Sequence, residues 1–371
     1  MTEEQKSDQS NNKPRGWQLV FKLYLIFACS ILTLVLIALI SSYLIIRPKY
    51  NKFLSGANLN QDQFYQLVKA GYNQNLSTVL GEDDKLSLLV LGVDSLEQRP
   101  GSPALTDTML LAQIDFNQAQ ITTLSLPRDL WSEDYQTKIN ALYTYGLDRY
   151  PENPTQFPTN VVRELTEVEI DNTVVLSLEQ LAELIDLVEG VEIFVENGFV
   201  DKEFPRTDVD VTQVTDPEKL YETVEFKTGT EQMMGERALK YIRSRHSQDD
   251  EGTDLARSLR QQQIINALIE KLSQPKIYWH QPELAGKLLN FYQTNFNQYF
   301  PTKNLITIAL DLGENMPNLE FKSVALSIYP DEENGVIYHP KPSNQYQDQW
   351  VYLIKDHVEF KKEIKDLFTD N

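Results

Sequence analysis

Cysteine is nearly absent. The 371-residue chain holds one, Cys29, which excludes an intramolecular disulfide and a cysteine-based metal cluster. Its place inside an apolar run argues against a catalytic thiol. Histidine is scarce as well. His246, His280, His339 and His357 are scattered without HExxH-like spacing, so a zinc hydrolase has no support. Positive charge is in deficit: the formal net charge is -20. Phosphate neutralisation along a nucleic acid needs a basic surface, so nucleic-acid binding is excluded as a general function. An acidic protein can still bind an anion if it gathers its few cations in one place. Apolar residues (41%) and charged residues (24%) stand at ordinary globular levels, enough for one large or two small domains with a sizeable core.

One long apolar run is present. Leu23 to Ile46 contains no charged residue, and its 24 residues reach about 36 Å as a helix at 1.5 Å per residue. A cleaved signal peptide would have a shorter apolar region and a small-residue cleavage site. A buried core helix rarely stays apolar on every face over such a length. The run therefore predicts a retained transmembrane helix. Lys6, Lys13, Arg15 and Lys22 precede it, and Arg47, Lys49 and Lys52 follow it. The positive-inside bias is consequently weak, and the short polar tail ahead of a long domain favours an inner N-terminus. The organisation read from the chain is a tail (1–22), the span (23–46), a juxtamembrane spacer (47–82) with an amphipathic stretch from Asp62 to Gly71, a large domain (83–330) and a C-terminal extension (331–371).

Leu86–Val93 (LSLLVLGV) is a near-continuous apolar run closed by Asp94, the pattern of a buried strand. Thr108–Asp115 and Gln120–Leu126 follow around the break Asn117-Gln118, as in a hairpin. Helical periodicity covers Leu178–Val188, stops at Gly190 and gives way to a strand, Val191–Val195. Glu236–Arg245 and Asp254–Leu272 read as helices, the second capped by Thr253 or Asp254. A further helix, a strand at Phe321–Ile328, a loop from Pro330 to Asp348 and a closing helix over Val351–Phe368 complete the pattern. Strands interleaved with helices predict an α/β fold whose sheet is covered on both faces.

The chain has twelve arginines, and five of them lie between Arg237 and Arg260. Arg257, Arg260, Gln261, Ile264 and Leu268 share one helical face by the i, i+3, i+4 rule. Arginine on a core-facing stripe is costly unless it meets an anion; internal salt bridges are the alternative account. Arg243 and Arg245 both point inward only if their helix ends near Tyr241 or Ile242. Asp94 closes the first strand, where open α/β sheets place ligands, and Asp107 opens the next. Two carboxylates at neighbouring strand ends can hold Mg²⁺, although each singly also suits a turn or cap. Arg128, in Ser-Leu-Pro-Arg-Asp just past a strand end, has the geometry for bidentate phosphate contacts.

Taken in order, LLVLGVDS, LTDTMLL, SLPRD, KINALYTYG, GERALKYIRSRH and DLARSLRQQQ resemble the motif series of the LytR-CpsA-Psr family across residues 86–263. The preceding single span matches the family's layout. The resemblance implies an α/β/α sandwich with a central mixed sheet that also holds a lipid chain. It implies a membrane-anchored, extracytoplasmic phosphotransferase that moves a glycopolymer from a polyprenyl-pyrophosphate carrier to peptidoglycan, with Mg²⁺ as cofactor. By position, Asp94 and Asp107 resemble the Mg²⁺-associated aspartates. Arg128, Arg243, Arg245 and Arg257 resemble the pyrophosphate-binding arginines, with Arg260 and Gln261 beside them and Lys138 in the KINA motif. Asp94, Asp107 and Arg128 would be the catalytic residues. The chain departs from the pattern at Leu105, where the family carries an arginine, after PRD, where the sequence runs Leu130-Trp131-Ser132-Glu133, and at Leu147, where it carries a glycine. These departures keep open a non-catalytic scaffold that binds polyprenyl phosphates. A transcriptional regulator, the third reading, is opposed by the acidic charge.

Overall fold

The apolar runs become the centre of a five-stranded sheet. The computed structural model describes residues 15–80, 84–94, 104–206, 219–247, 250–312, 320–329, 335–341 and 343–368. Strands β1 (Lys85–Val93), β2 (Thr106–Asp115) and β3 (Gln120–Leu126) form an antiparallel meander. Asn172–Ser177 adds in parallel to β1, and Glu320–Val324 in parallel to β3, which makes the sheet mixed. The hairpin turns where the Asn117-Gln118 break predicts: Asp115 Oδ1 accepts both their backbone N–H groups, at 3.0 and 2.9 Å.

Side chains alternate across the sheet, and both faces are covered by helices. On one face Leu89, Leu91, Met109, Leu111 and Leu124 pack against Val161 and Val162 of the Gln156–Thr166 helix and against Phe360 and Ile364 of the His357–Phe368 helix. On the other, Leu86, Leu88 and Ile114 meet Phe300, Leu305 and Ile308 around the Thr302–Leu312 helix. A second core joins the Leu178–Leu187, Gly235–Arg243 and Asp254–Leu272 helices to the strand Val191–Val195 and the hairpin Phe199–Pro205 with Tyr221–Phe226. The fold is thus the expected α/β sandwich. The closing helix is shorter than its periodicity suggests: Val351 to Ile354 is extended and the helix begins only at His357. Residues 1–14, most of the predicted tail, and residues 95–103 lie outside the described residues.

Helix α1 runs unbroken from Arg15 to Ala57. Among the described residues it is the one helix long and apolar enough to cross a membrane, over Ser30–Ala57. The sequence reading ends the span at Ile46, but helix geometry persists for eleven more residues because the end of α1 is buried on the Pro282–Asn295 helix, with Leu54 and Ala57 at 7% and 1% exposure. Two glycines allow that crossing. A Cβ on Gly56 would stand 2.1 Å from the Glu283 carbonyl oxygen, and one on Gly286 2.1 Å from that of Phe53. Gly286→Val is therefore expected to force the helices apart and destabilise the chain by about 1–3 kcal/mol, read as a lowered melting temperature in detergent; an unchanged melt would contradict the close crossing. α2 (Gln61–Tyr72) follows behind a capping box made by Asn60 and Gln63, and its Gly71 carbonyl accepts from Thr307 Oγ1 at 2.9 Å. Just past Ile46 the Lys49 ammonium lies 3.9 Å from the centre of the exposed Trp279 ring and donates to the Trp279 carbonyl at 3.1 Å.

Candidate functional site

The carboxylates are delivered by strand ends. β1 and β2 finish their pairing with Val93 opposite Thr106, and the register shifts between Gly92 and Val93. The pairing passes from Gly92–Thr108 to Val93–Thr106, so Asp107 is the extra residue of a bulge in β2, a distortion that re-aims a side chain. Asp94 leaves β1 while Asp107 enters β2, so both emerge at one end of the sheet, with side chains 58% and 35% exposed.

The first cations come from the chain just past β3. Arg128 Nη1 donates to Asp107 Oδ1, and its Nε lies 3.4 Å from Asp129 Oδ2. Lys138 Nζ donates to the other Asp129 oxygen at 2.7 Å. Asp129 therefore holds two cations side by side. The KINA segment is laced to the arginine segment by its backbone. Ile139 N–H donates to Leu130 O at 2.8 Å, Asn140 N–H donates to Arg128 O at 3.2 Å, and Thr106 Oγ1 donates to Asn140 O at 3.1 Å.

The remaining cations come from the two arginine-rich helices. The first runs Gly235–Arg243 and stops there, with Ser244 extended. Its end is fixed from a distance: Asp201, fully buried, accepts the backbone N–H of Arg245 at 3.0 Å and of His246 at 3.3 Å. Arg243 closes the helix with Nη2 3.7 Å from Asp94 Oδ1, and Arg245 lies beyond it. This early stop brings both arginines to one cavity, Arg243 half-buried and Arg245 exposed at its edge. The second helix starts behind Thr253, whose hydroxyl accepts from Ala256 N–H at 3.2 Å. Arg257 is 3% exposed on its first turn, and Gln261 receives a bond from Thr108 Oγ1 at 3.5 Å.

Eight of the nine residues singled out from sequence line one cavity of ≈ 640 Å³. Arg128, Lys138, Arg243, Arg245 and Arg257 supply its cations; Asp94, Asp107 and Asp129 supply its carboxylates, with Gln261 between. Five cations against three carboxylates leave the lining positive within a chain of net charge -20. The other wall is apolar or aromatic: Leu105, Leu178, Phe204, Pro205, Ile242 and Trp350. Periodicity and motif order did not single out Asp129, Asn140, His246 or Trp350. Asp129 was legible only as part of the Arg-Asp pair, and Trp350 enters from the far end of the chain.

Arg260 is the exception. A step of three residues carries it about 60° around the helix from Arg257, and a step of four carries Gln261 about 40° the other way. Its guanidinium donates to the carbonyls of Tyr241, Ser244 and Glu251 at 2.9, 2.6 and 2.8 Å, and to Glu251 Oε2 at 3.0 Å. It also lies over the Phe199 ring, 4.6 Å from its centre. Burial lowers the Arg260 pKa and pushes the neighbouring Tyr241 phenol up to about 12. For this residue the salt-bridge account holds: it ties the loop between the two helices to the core. Arg260→Ala is expected to cost about 3–5 kcal/mol, the range for stranding a buried carboxylate and its partners, with a urea-unfolding midpoint as the measurement. A fully stable variant defective only in ligand binding would reverse this assignment.

The comparisons with known proteins agree with this architecture. The LytR_cpsA_psr family model matches residues 54–355. The chain belongs to the LytR-CpsA-Psr family. Over 292 residues, 76% of the chain and 68% of the relative, it is 26% identical to the polyisoprenyl-teichoic acid–peptidoglycan teichoic acid transferase TagV of Bacillus subtilis strain 168. It is also 26% identical to biofilm regulatory protein A of Streptococcus mutans, over 58% of the chain, and spans only 51% of that relative's length. The crystal structure of B. subtilis TagV superposes with a TM-score of 0.52 at 21% identity, covering 77% of this chain and 96% of that one. The match to this family ends past the two-residue strand Leu353–Ile354, so the segment bearing Trp350 lies within it.

Proposed function

We propose that this protein is a membrane-anchored phosphotransferase that moves a glycopolymer from a polyprenyl-pyrophosphate carrier to a cell-wall acceptor, peptidoglycan, forming a phosphodiester. One observation carries the reading: an acidic chain directs Arg128, Lys138, Arg243, Arg245 and Arg257 into a single cavity at the ligand-binding end of its sheet. A diphosphate is the anion that such a cluster suits, since guanidinium groups grip phosphate oxygens bidentately. The name of TagV specifies the same class of donor and acceptor for that relative. In this reading the N-terminus is cytoplasmic and the domain after Arg47 is outside the membrane. The Lys49–Trp279 contact supports a membrane–water boundary just past Ile46, since aromatic side chains gather at both interfaces; the inner N-terminus rests on the short polar tail ahead of a long domain.

The chemistry is a displacement at phosphorus. An acceptor hydroxyl oxygen attacks the phosphorus bearing the glycopolymer, and a new P–O bond forms. The bond to the bridging oxygen breaks, and polyprenyl phosphate leaves with that electron pair. The hydroxyl proton passes to a carboxylate, Asp94 or Asp107. Positioning and charge neutralisation do most of the work in such transfers. Arg128 and Arg243, now paired with Asp107 and Asp94, would turn to the phosphate oxygens. In this reading Asp94 and Asp107, at one end of the sheet, would hold one Mg²⁺, a cation that takes one or two carboxylates, waters and substrate phosphates. Among the described residues no cluster of three acidic or histidine side chains is assembled, so the ion would be shared with the ligand. When bound, it would supply further positive charge at the diphosphate.

A second reading, a non-catalytic scaffold that holds polyprenyl phosphates, is favoured by one observation: Leu105 lines the cavity, 38% exposed, where the family carries an arginine. Turnover separates the two. The full chain in detergent, given a glycan-bearing polyprenyl diphosphate, peptidoglycan and Mg²⁺, should release polyprenyl monophosphate. Stoichiometric binding without release would favour the scaffold.

A further inference from the structure

Trp350 lines the cavity without bringing charge to it, and 43% of its surface is exposed. The ring is nevertheless braced. His339 lies against it at 4.3 Å between ring centres, tilted 32°, and Tyr352 meets it at 4.6 Å and 81°. His339 is in turn held by its Nδ1, 2.9 Å from the Val351 carbonyl. The backbone beneath is tied to the stretch that carries Arg128 and Asp129. Trp131 N–H donates to Tyr352 O at 2.8 Å, Tyr352 N–H donates to Asp129 O at 2.9 Å, and Leu130 bridges Tyr352 in parallel. Val351 is fully buried against Trp131 in a small core of its own. A half-exposed indole is thus held in fixed register with the arginine wall. Among the described residues no cation–π contact uses it.

We propose that Trp350 is a sugar-stacking subsite, receiving the apolar face of a pyranose ring next to the diphosphate. The C–H groups on one face of a pyranose form a small apolar patch whose hydrogens carry partial positive charge. They suit the electron-rich face of an indole, as aromatic edges do. The hydroxyls around the ring stay in water, which matches a platform at a cavity rim. An isoprenoid chain, with no polar edge, would instead call for a closed apolar cavity. The inference rests on the phosphotransferase reading for the identity of the cavity and adds to it a recognition element for the sugar. The pyranose belongs either to the lipid-linked donor or to the acceptor glycan, two sources with one chemistry.

The test compares wild type, Trp350→Ala and Trp350→Phe of the full chain in detergent. Three probes are titrated: a sugar-free polyprenyl diphosphate, the same lipid bearing one sugar, and a soluble peptidoglycan glycan fragment. Trp350→Ala should bind the sugar-free lipid like wild type, within about twofold, and lose about tenfold in affinity for one sugar-bearing probe. Trp350→Phe should recover most of that loss. A loss confined to the glycolipid assigns the platform to the donor, and one confined to the glycan fragment assigns it to the acceptor. Equal losses for sugar-free and sugar-bearing lipid, or no loss for either sugar probe, would overturn the subsite. If wild type binds the glycan fragment through Trp350 but no lipid diphosphate, the subsite stands and the diphosphate reading fails. Binding of neither overturns both.

Discussion

Arg257→Ala is expected to lower affinity for a polyprenyl diphosphate by about two to three orders of magnitude while the domain stays folded. The residue is almost fully buried, lines the cavity and opens a helix face that continues as Ile264 and Leu268 in the core. Truncating one member of a buried charge pair between protein and ligand costs about 2–5 kcal/mol, which is the origin of that factor. Arg243→Ala should follow with a smaller loss, since its side chain is 31% exposed and solvent screens its contribution. The comparison with Arg260→Ala is the internal control. The two arginines stand three positions apart on one helix, yet one variant should fail in binding and the other in stability. Calorimetric titration and a urea melt on each protein separate the outcomes. A collapse of Arg257→Ala in the melt, with no separate binding defect, would move that residue into the salt-bridge account.

Asp107→Asn and Asp94→Asn should have the opposite signature. Each aspartate now pairs with an arginine that the diphosphate would need, Asp107 with Arg128 and Asp94 with Arg243. Neutralising the carboxylate releases the arginine, so ligand affinity should hold or rise. Turnover should fall by about two to three orders of magnitude, because the loss falls on charge stabilisation at the reacting phosphate. Removing Mg²⁺ from wild type with a chelator should reproduce the defect. Asparagine variants that keep the wild-type rate, or a chelated wild type that does, would exclude the metal role proposed for this pair.

The parts of the fold carried by local pattern were legible in the sequence. Gln120–Leu126 follows the turn at Asn117-Gln118, and Asp254–Leu272 follows a capping threonine; both elements have those limits. What escaped depends on contacts across long stretches of chain. The first arginine-rich helix ends at Arg243 rather than Arg245 because Asp201, more than forty positions earlier, takes the N–H groups of Arg245 and His246. Val351–Phe368 has helical spacing throughout, yet its first four residues are extended because Tyr352 pairs with Asp129 and Trp131. The same pairing brings Trp350 to the cavity, which no nearby motif announces. The helix wheel put Arg257, Arg260 and Gln261 on one face; Arg257 and Arg260 are buried and Gln261 is half-buried, but only Arg257 and Gln261 line the cavity. The wheel could not tell which of them would meet Glu251 and the open carbonyls around it.

The most direct measurement is a crystal structure of the protein with a short-chain polyprenyl diphosphate and Mg²⁺. The account predicts both phosphates inside the cavity, within hydrogen-bonding distance of Arg128, Arg243 and Arg257, with the bonds from Arg128 to Asp107 and from Arg243 to Asp94 exchanged for bonds to phosphate. Phosphates bound elsewhere on the chain, with those two arginine–aspartate pairs intact, would contradict it.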